Sequence, residues 1–503
     1  MTRARAPERT PIRFGTDGWR AVIAHEFTFA NVERVAQAYA LHVLSERDAA
    51  RADRKEKQTE KTGARVAAPR AEGSQPGAPL VVVGYDRRFL SEQFAARAAE
   101  VLAGNGVAVE MFDADVPTPV VSWAVRDRKA SGGVVITASH NPAEFNGFKI
   151  KAAWGGSATP ETTRAVETLV DAQAPARGER RRGTAARLAP SVASYRKQIS
   201  SYVDLERMRA ARAHVVVDPI HGAGGRWVES FFAGGSLEVE TIRAERDPVF
   251  GGVAPEPIDR NLAPLKERVR QTGALVGLAT DGDADRLGAV SELGETMTMH
   301  EVVPVVLLHL ARERKMTGGV VRTFSQSVLT KRIAEAHGLK VYETPVGFKY
   351  VADLMLREDI LVGAEESGGI GVKGHIPERD GILNSLLFLE AIISAGKAPS
   401  ELVKAVHREF GEFYYGRRDL RYEVSRGLEL VGGLAQQPPQ KIAGYEVASV
   451  ERLDGTKLIF ADESWLLFRQ SGTEPLLRIY SEATSTAKRD ALLEAVGELA
   501  DQK

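Results

Sequence analysis

Short apolar runs alternate with amphipathic stretches along most of the chain. Residues 80–84 (Leu-Val-Val-Val-Gly) have the length and composition of a buried strand. Residues 91–102 then place apolar side chains at helical spacing, and Gly104 is a typical helix stop. Residues 107–112 return to the strand pattern. The pattern predicts a strand–helix–strand unit of the α/β class.

The same rhythm recurs twice further along the chain. One repeat surrounds residues 214–218 (His-Val-Val-Val-Asp), and another runs from residue 320 through residue 342 to residue 361. We therefore predict three α/β units in series, with right-handed crossovers between their parallel strands.

Residues 47–78 interrupt the first unit. They are rich in Arg, Lys, Ala, Glu, Gly and Pro and contain almost no large apolar residue, so they cannot bury a core. We predict a disordered surface insertion between an initial helix at about residues 31–45 and the strand that begins at residue 80.

The first polar loop follows an apolar run at residues 133–136. Residues 137–142 read Thr-Ala-Ser-His-Asn-Pro, and Lys149 follows shortly afterwards. A serine at the carboxyl end of a buried strand occupies the usual ligand position of an open α/β sheet. The loop supplies a hydroxyl nucleophile, Ser139, together with the His140 imidazole and an ammonium group. The alternative is an ordinary polar turn, because Asn-Pro and Asn-Gly are common turn dipeptides.

The second loop carries three carboxylates at alternate positions, Asp281, Asp283 and Asp285. Carboxylates in this spacing can turn their oxygens toward one point, which suits a hard cation such as Mg²⁺. A calcium loop between two helices starts with the same spacing, but its sixth position requires glycine, where this chain has Arg286. The flanking runs also read as strands and not as helices. A solvated acidic turn is the remaining alternative, and we favour the metal site because such turns seldom follow a wholly apolar strand.

Two further polar loops are suited to sugar hydroxyls and to phosphate. Residues 363–369 read Gly-Ala-Glu-Glu-Ser-Gly-Gly, although a capped helix start or a surface turn would read similarly. Residues 469–475 read Arg-Gln-Ser-Gly-Thr-Glu-Pro, with Arg478 just beyond. Guanidinium groups bind phosphate bidentately, and hydroxyls beside a glycine-freed backbone complete an anion cradle. The glycine-lysine-serine/threonine signature of a nucleotide phosphate loop is missing here, which favours a phosphate monoester; a structural ion pair of Arg469 is the alternative.

These four loops, in this order, resemble the signature of the α-D-phosphohexomutase superfamily. That superfamily has an active-serine loop, a metal loop, a sugar loop and a phosphate loop, one from each of four domains. The resemblance extends over nearly the whole chain, from residues 14–20 (Phe-Gly-Thr-Asp-Gly-Trp-Arg) to Arg478. Residues 255–257 (Pro-Glu-Pro) and 344–349 (Thr-Pro-Val-Gly-Phe-Lys) are additional family-like segments.

The resemblance implies an α/β fold of three similar α/β/α sandwich domains in series around a central cleft. A C-terminal α+β domain resembling the TATA-binding-protein fold would follow, with the phosphate loop between two strands. The expected domains are residues 1–160, which include the insertion and the phosphoserine loop; 161–270, bordering the metal loop; 271–395, with the metal loop at its start and the sugar loop; and 405–503, with the phosphate loop.

By the same resemblance, Ser139 is a phosphoserine in the resting enzyme. One phosphate oxygen on Ser139 would complete a Mg²⁺ site with Asp281, Asp283 and Asp285, and Arg286 would support that loop. The metal neutralises charge on the phosphoryl group during transfer, which is the main catalytic requirement of such reactions.

The resemblance also assigns acid–base and substrate-binding groups. Lys149 is the family-like acid–base group, with Arg20, His140 and Lys349 as assistants or phosphate holders. The alternative for each of the last three is structural, as an ion pair, a loop-orienting group or a surface lysine. The expected substrate contacts are the groups that would hold the sugar ring and its distal phosphate: Gly347, Lys349, Glu365, Ser367, Arg469, Ser471, Gly472, Thr473 and Arg478.

The implied activity is interconversion of hexose 1-phosphate and hexose 6-phosphate through a hexose 1,6-bisphosphate, which also serves as activator. The third loop looks closer to glucose- and mannose-phosphate mutases than to the glucosamine branch, which typically carries another residue at Glu366 and histidine at Gly369. We expect phosphoglucomutase activity, together with phosphomannomutase activity; phosphoglucosamine mutase is the alternative. A metal-dependent sugar phosphatase with a Ser139 nucleophile and a non-enzymatic sugar-phosphate-binding regulator are alternatives of other classes.

Composition restricts the classes of molecule that the chain is expected to bind. Lysine plus arginine equals aspartate plus glutamate at 67 each, so no bulk charge recruits nucleic acid or an anionic membrane. The chain has no cysteine, which excludes disulfides and thiol chemistry. We find neither the apolar core of a signal peptide nor an apolar stretch of roughly 20 residues. We expect a cytoplasmic monomer or weak homodimer whose partner is a small phosphosugar.

Overall fold

The first α/β/α sandwich forms around a sheet whose strands point buried side chains alternately to its two faces. The structure, a computed structural model, describes residues 10–15, 18–59, 77–179, 184–471 and 475–501. The first sheet has the order β1-β5-β4-β2-β3, with β2 parallel to β3 and β4, and β5 antiparallel to β1 and β4. Its strands are β1 (Trp19–Val22), β2 (Leu80–Tyr85), β3 (Ala108–Met111), β4 (Gly132–Ile136) and β5 (Phe145–Ala152).

Helices cover both faces of this sheet. Val81 and Val83 of β2 belong to one core and Val82 to the other, because successive side chains of a strand point to opposite faces. The helices of this unit are α1 (Phe29–Thr59), α2 (Ser91–Gly104), α3 (Thr118–Asp127) and α4 (Pro160–Leu169). Val166 of α4 packs in the first core, so this unit extends beyond the predicted end at residue 160.

The second sheet has the order β10-β9-β8-β6-β7, with β6 parallel to β7 and β8. Its elements are α5 (Ala189–Tyr202), α6 (Leu205–Ala210), β6 (His214–Asp218), β7 (Glu238–Thr241), α7 (Ala263–Thr272), β8 (Val276–Thr280), β9 (Leu287–Val290) and β10 (Thr296–Met297). Because β8 pairs with β6 and β9 pairs with β8, the aspartate loop joins two strands of the second sheet. The predicted boundary at residue 270, which gave this loop to the third unit, differs from this arrangement.

The third sheet has the order β12-β11-β13-β14, and only β14 runs antiparallel to its neighbour. Its elements are α8 (Met299–Leu308), β11 (Gly319–Thr323), α9 (Val328–Ala336), β12 (Val341–Thr344), α10 (Phe348–Arg357), β13 (Ile360–Ala364), β14 (Ile370–Val372), α11 (Gly381–Ala395) and α12 (Pro399–Phe410). The three predicted α/β/α sandwiches are confirmed.

The C-terminal unit is a curled antiparallel sheet of order β15-β20-β19-β18-β17-β16, as expected for an α+β domain. Its elements are β15 (Tyr414–Arg421), α13 (Val424–Gln436), β16 (Lys441–Ile442), β17 (Tyr445–Glu451), β18 (Thr456–Phe460), β19 (Trp465–Gln470), β20 (Leu476–Ala483) and α14 (Thr486–Asp501).

A buried carboxylate joins the C-terminal unit to the third unit. Glu482 of β20 accepts hydrogen bonds from the Ser327 hydroxyl (2.5 Å) and the Val328 N–H (2.8 Å) at the start of α9. It also accepts one from the Trp465 indole N–H (3.1 Å) of its own sheet. Nearby, the buried Lys457 donates to the Phe324 carbonyl at 2.9 Å. These contacts join the C-terminal sheet to the start of α9 and to the segment before it.

The first helix is longer than the sequence pattern predicts. It was expected to end near residue 45, but α1 continues to Thr59, so the first part of the predicted insertion is helical. Residues 60–76 lie outside the described residues.

In the described part of the chain, no single helix is long and apolar enough to cross a membrane. The consecutive helices α11 and α12 meet that test only as a pair, and they are bent by 78° relative to each other.

Candidate active site

Ser139 lies in a strained turn at the carboxyl end of β4. Its φ of 52° is in the left-handed region, which non-glycine residues adopt rarely. The Oγ atom donates to Asp281 Oδ2 at 2.8 Å and lies 3.3 Å from His140 Nδ1. The strands β4 and β8 thus bring the first two polar loops into direct contact.

The three aspartates of the second loop converge as predicted. Each of Asp281, Asp283 and Asp285 is buried, and one carboxylate oxygen from each lies within 4.8 Å of the others. The Asp285 and Arg286 N–H groups donate to Asp281 Oδ1 at 3.0 and 3.1 Å. Gly282 permits this approach, because a Cβ there would lie 2.4 Å from the Ser139 carbonyl oxygen.

Two buried cations offset part of the negative charge. The Lys149 ammonium donates to Asp283 Oδ2 (3.0 Å) and Asp285 Oδ2 (3.1 Å), and Arg379 donates to Asp285 Oδ2 (2.9 Å). Burial and the neighbouring carboxylates nevertheless raise the pKa of Asp281 well above its usual range.

The donor set fits a Mg²⁺ ion. All three side chains offer hard carboxylate oxygens, and Asp285 Oδ1 is buried without a hydrogen-bond partner among the described residues. A divalent cation bound there would satisfy that oxygen and favour the ionised form of Asp281.

Arg20 and His140 lie at the same loop. Arg20 donates to the Asn141 side-chain carbonyl at 2.7 Å. Burial, followed by the nearby guanidinium groups of Arg286 and Arg20, lowers the pKa of His140 well below its usual range. This environment favours the neutral form of the imidazole, which lies beside the Ser139 hydroxyl.

The third loop reaches the aspartate cluster through Arg379. The Arg379 guanidinium, which donates to Asp285, lies 3.7 Å from Glu365 Oε2. The Glu366 carboxylate accepts a hydrogen bond from Ser325 at 2.7 Å, and Ser367 is half-buried beside it. Burial, partly opposed by Arg379, raises the pKa of Glu365 to about 7.

This raised pKa predicts how stability depends on pH. Because the folded-state pKa of Glu365 lies above the 4.5 usual for glutamate, ionisation destabilises the fold. The loss of folding stability caused by ionised Glu365 begins as the pH rises above 4.5 and is complete above about 7. We expect Glu365→Gln to raise the melting temperature relative to the parent at pH 8 more than at pH 5, as measured by thermal unfolding. An equal difference at both pH values would contradict this.

The fourth loop adjoins the amino end of α10. Asp454 Oδ2 accepts hydrogen bonds from the Arg469 guanidinium and from the Val346 N–H, each at 2.9 Å. Val346 immediately precedes Gly347, the N-cap of α10, and two residues further on stands Lys349. This contact places four predicted substrate-binding residues at one junction of the third and fourth units: Gly347, Lys349, Arg469 and, opposite Arg469 on β20, Arg478.

Two of the predicted phosphate-binding residues, Gly472 and Thr473, lie outside the described residues. The neighbouring Ser471 is buried, and its N–H donates to the carbonyl of Leu476, at the start of β20, at 3.0 Å.

The structure also adds residues to the site that the sequence pattern did not single out. Thr118 donates to Asp283 Oδ2 at 2.6 Å, Arg379 contacts both Asp285 and Glu365, and Arg88 donates to the Ser139 carbonyl at 2.7 Å. A usable signal existed for Arg88, because it closely follows the buried strand β2, whose carboxyl end shares an edge with that of β4.

Comparisons with known proteins match the chain along most of its length. Models of the phosphoglucomutase/phosphomannomutase family match in order: alpha/beta/alpha domain I at residues 47–177, domain II at 193–294, domain III at 299–410 and the C-terminal domain at 434–499.

Individual relatives are similar over comparable lengths. A phosphoglucomutase/phosphomannomutase of Thermococcus kodakarensis is 34% identical over 83% of this chain and 88% of its own. A phosphoglucosamine mutase of Clavibacter sepedonicus is 31% identical over 96% and 97%. A crystal structure from Thermus thermophilus, provisionally assigned as a phosphomannomutase, superposes with a TM-score of 0.81 at 36% identity, covering 98% of this chain and all of that one. The chain therefore belongs to the phosphoglucomutase/phosphomannomutase family of the α-D-phosphohexomutase superfamily and is a phosphohexomutase of the isomerase class.

Proposed function

We propose that the protein interconverts glucose 1-phosphate and glucose 6-phosphate, with mannose phosphates as additional substrates. The observation that carries this is the contact of Ser139 Oγ with the buried aspartate cluster, 2.8 Å from Asp281. A nucleophile, a divalent-cation site and a buried ammonium group meet at one point, as phosphoryl transfer requires.

The proposed chemistry moves one phosphoryl group out and another back. Phosphorylated Ser139 gives its phosphoryl group to O6 of hexose 1-phosphate: the Oγ–P bond breaks, an O6–P bond forms, and the O6 proton passes to a base. The resulting hexose 1,6-bisphosphate turns over and returns its other phosphoryl group to Ser139. Mg²⁺ held by the three aspartates would neutralise charge on the group in transit.

The chain's own residues divide the remaining work. Lys149 holds its ammonium between Asp283 and Asp285, where it can neutralise charge or exchange a proton at the reacting oxygen. Glu365 and Ser367 would grip ring hydroxyls in both orientations of the bisphosphate. Arg469 and Ser471, with Gly472, Thr473 and Arg478, would hold the phosphate that does not react.

Gly369, where the glucosamine branch typically has histidine, supports glucose over glucosamine as the substrate by resemblance, and its packing shows that this chain requires the glycine. A Cβ at this position would lie 2.4 Å from Arg379 Cδ and 3.0 Å from Glu365 Oε2. The histidine typical of the glucosamine branch therefore cannot enter without displacing a buried arginine that contacts Asp285. The name of the Thermococcus relative agrees with this preference, whereas several relatives at about 30% identity are named phosphoglucosamine mutases.

A coupled assay over three substrates tests the proposal. Glucose, mannose and glucosamine 1-phosphates are compared, each with Mg²⁺ and a trace of the matching 1,6-bisphosphate. We expect the highest kcat/KM with glucose 1-phosphate, a measurable rate with mannose 1-phosphate and the lowest with glucosamine 1-phosphate. A preference for glucosamine 1-phosphate would overturn the sugar assignment. Stoichiometric release of inorganic phosphate without glucose 6-phosphate would instead support a phosphatase.

A further inference from the structure

A fully buried arginine holds the reactive loop from behind. The Arg88 side chain has no exposed surface, and its guanidinium donates to four backbone carbonyls of the turn that carries Ser139. The accepting carbonyls belong to Ser139 (2.7 Å), Asn141 (2.6 Å), Pro142 (2.7 Å) and Phe145 (3.0 Å). Arg88 therefore contacts the backbone of the loop and not its reactive side chain.

The same arginine closes a circuit of hydrogen bonds and one ion pair around Ser139. The Ser139 N–H donates to Thr137 Oγ1 at 2.8 Å, and that hydroxyl donates to Asp86 Oδ2 at 2.7 Å. Asp86 Oδ2 lies 3.2 Å from Arg88 Nε, and Arg88 returns to the Ser139 carbonyl. Both polar backbone groups of Ser139 are thus held by one buried set of side chains, the serine clamp, defined as Asp86, Arg88 and Thr137.

The strained backbone of Ser139 explains what these contacts do. Ser139 is held in the left-handed region, which costs conformational energy unless surrounding contacts over-determine it. The contacts of the clamp fix the peptide groups on both sides of that residue, and a Cβ at Gly282 would clash with the same Ser139 carbonyl from the other side. The direction of the Cα–Cβ bond, and with it the position of Oγ, follows from these restraints.

We propose that Asp86, Arg88 and Thr137 are positioning residues that keep Ser139 in its strained conformation and aim its Oγ at the aspartate cluster. This inference rests on the proposed function, because positioning matters only if Ser139 carries the phosphoryl group. Among the residues that the structure describes, no hydrogen bond of Asp86, Arg88 or Thr137 reaches a predicted sugar or phosphate contact, so we expect the clamp to act on the transfer step and not on substrate affinity.

Two clamp variants and one matched control test the inference. Arg88→Lys keeps the charge but cannot reach four carbonyls, and Thr137→Val keeps the shape but removes both hydroxyl hydrogen bonds. Arg243→Lys is the control, because Arg243 pairs with the buried Asp218 at the end of β6 in the second sheet, and its hydrogen bonds go to Asp218 and Asn261 and not to the serine loop. For each protein we would measure melting temperature, kcat and KM for glucose 1-phosphate. The rate at which glucose 1,6-bisphosphate phosphorylates Ser139, followed by intact-protein mass spectrometry, is the fourth readout.

The clamp predicts a split between kcat and KM. We expect kcat and the phosphorylation rate to fall on the order of 100-fold in Arg88→Lys and about 10-fold in Thr137→Val, with KM nearly unchanged. Arg243→Lys should lose thermal stability but keep its kcat.

Three outcomes would overturn the clamp. In the first, Thr137→Val and any folded Arg88→Lys protein both turn over at the parent rate. In the second, the control loses kcat in proportion to its stability, as the clamp variants do. If Arg88→Lys does not fold, Thr137→Val decides alone. In the third, glucose 1,6-bisphosphate fails to phosphorylate Ser139 in the parent protein, and this result refutes the proposed function as well. If the parent is phosphorylated normally and the variants react at the same rate, only the clamp is refuted.

Discussion

Replacing Ser139 with alanine is expected to lower mutase turnover by at least about 10³-fold while substrate still binds. The reason is that the phosphoryl group has no acceptor once the Ser139 Oγ atom, which donates to Asp281 of the aspartate cluster, is removed. The proposed substrate contacts lie on the third and fourth loops, at the start of α10 and on β20, so they remain in place. Steady-state kinetics and calorimetric titration with glucose 1-phosphate measure the two effects separately.

Ser191→Ala is a suitable control for this experiment. Ser191 is also buried, and its hydroxyl donates to Asp127 at 2.6 Å, between α5 and α3 and away from the aspartate cluster. It should retain turnover close to that of the parent. Mutase rates near the parent value in Ser139→Ala would disprove the assignment of the nucleophile.

Replacing Asp283 with asparagine is expected to raise the Mg²⁺ concentration for half-maximal activity at least about 10-fold, with a lower maximal rate. The variant loses one of three charged ligands, although the amide oxygen can still accept from Lys149 and Thr118. Metal binding also stabilises a folded protein, by about 2.7 kcal/mol when the ion is at 100 times its Kd. The parent should therefore melt at a higher temperature with Mg²⁺ than after chelation, and the variant should show little of this shift.

Asp353→Asn provides the matched control, because Asp353 pairs with Arg357 on the exposed surface of α10. Its Mg²⁺ titration and its metal-dependent melting shift should equal those of the parent. A normal Mg²⁺ titration in Asp283→Asn would count against the aspartate cluster as the metal site.

Local pattern was sufficient to place Ser139 and the aspartates each at the ligand-binding edge of a sheet. Both loops follow wholly apolar strands, β4 and β8, and polar residues at the carboxyl ends of such strands share one edge of their sheet. The contact between the two sheets came from the family resemblance, because no periodicity specifies how domains pack. For the same reason, β8 and β9 were assigned to the wrong side of a domain boundary: a strand pattern does not name its pairing partner.

One buried arginine was out of reach of sequence patterns for a different reason. Arg379 is charged, and charged residues are almost never fully buried unless they are paired. Its partner in the aspartate cluster, Asp285, lies far away in sequence, so nothing local distinguishes Arg379 from a surface residue. Arg88 differs, because its position just after β2 places it at the sheet edge that carries Ser139.

The extension of α1 shows a limit of composition as a guide. Its residues lack the apolar side chains of a core, which predicted disorder, yet Ala, Glu, Lys and Arg are strong helix formers. Nucleation is the costly step of helix formation, and here a buried helix already supplies the nucleus. The helix therefore continues to Thr59.

The buried attachment of Glu482 restricts how this enzyme could be re-engineered. The C-terminal unit forms a complete sheet of its own, which suggests that it could be exchanged for that of a relative with another sugar preference. A donor segment that lacks an acid at this position would leave the hydroxyl of Ser327 and the N–H of Val328 buried beside no acceptor. A functional chimera must therefore exchange the residues on both sides of this contact together. The segment to be exchanged is then larger than the C-terminal unit alone.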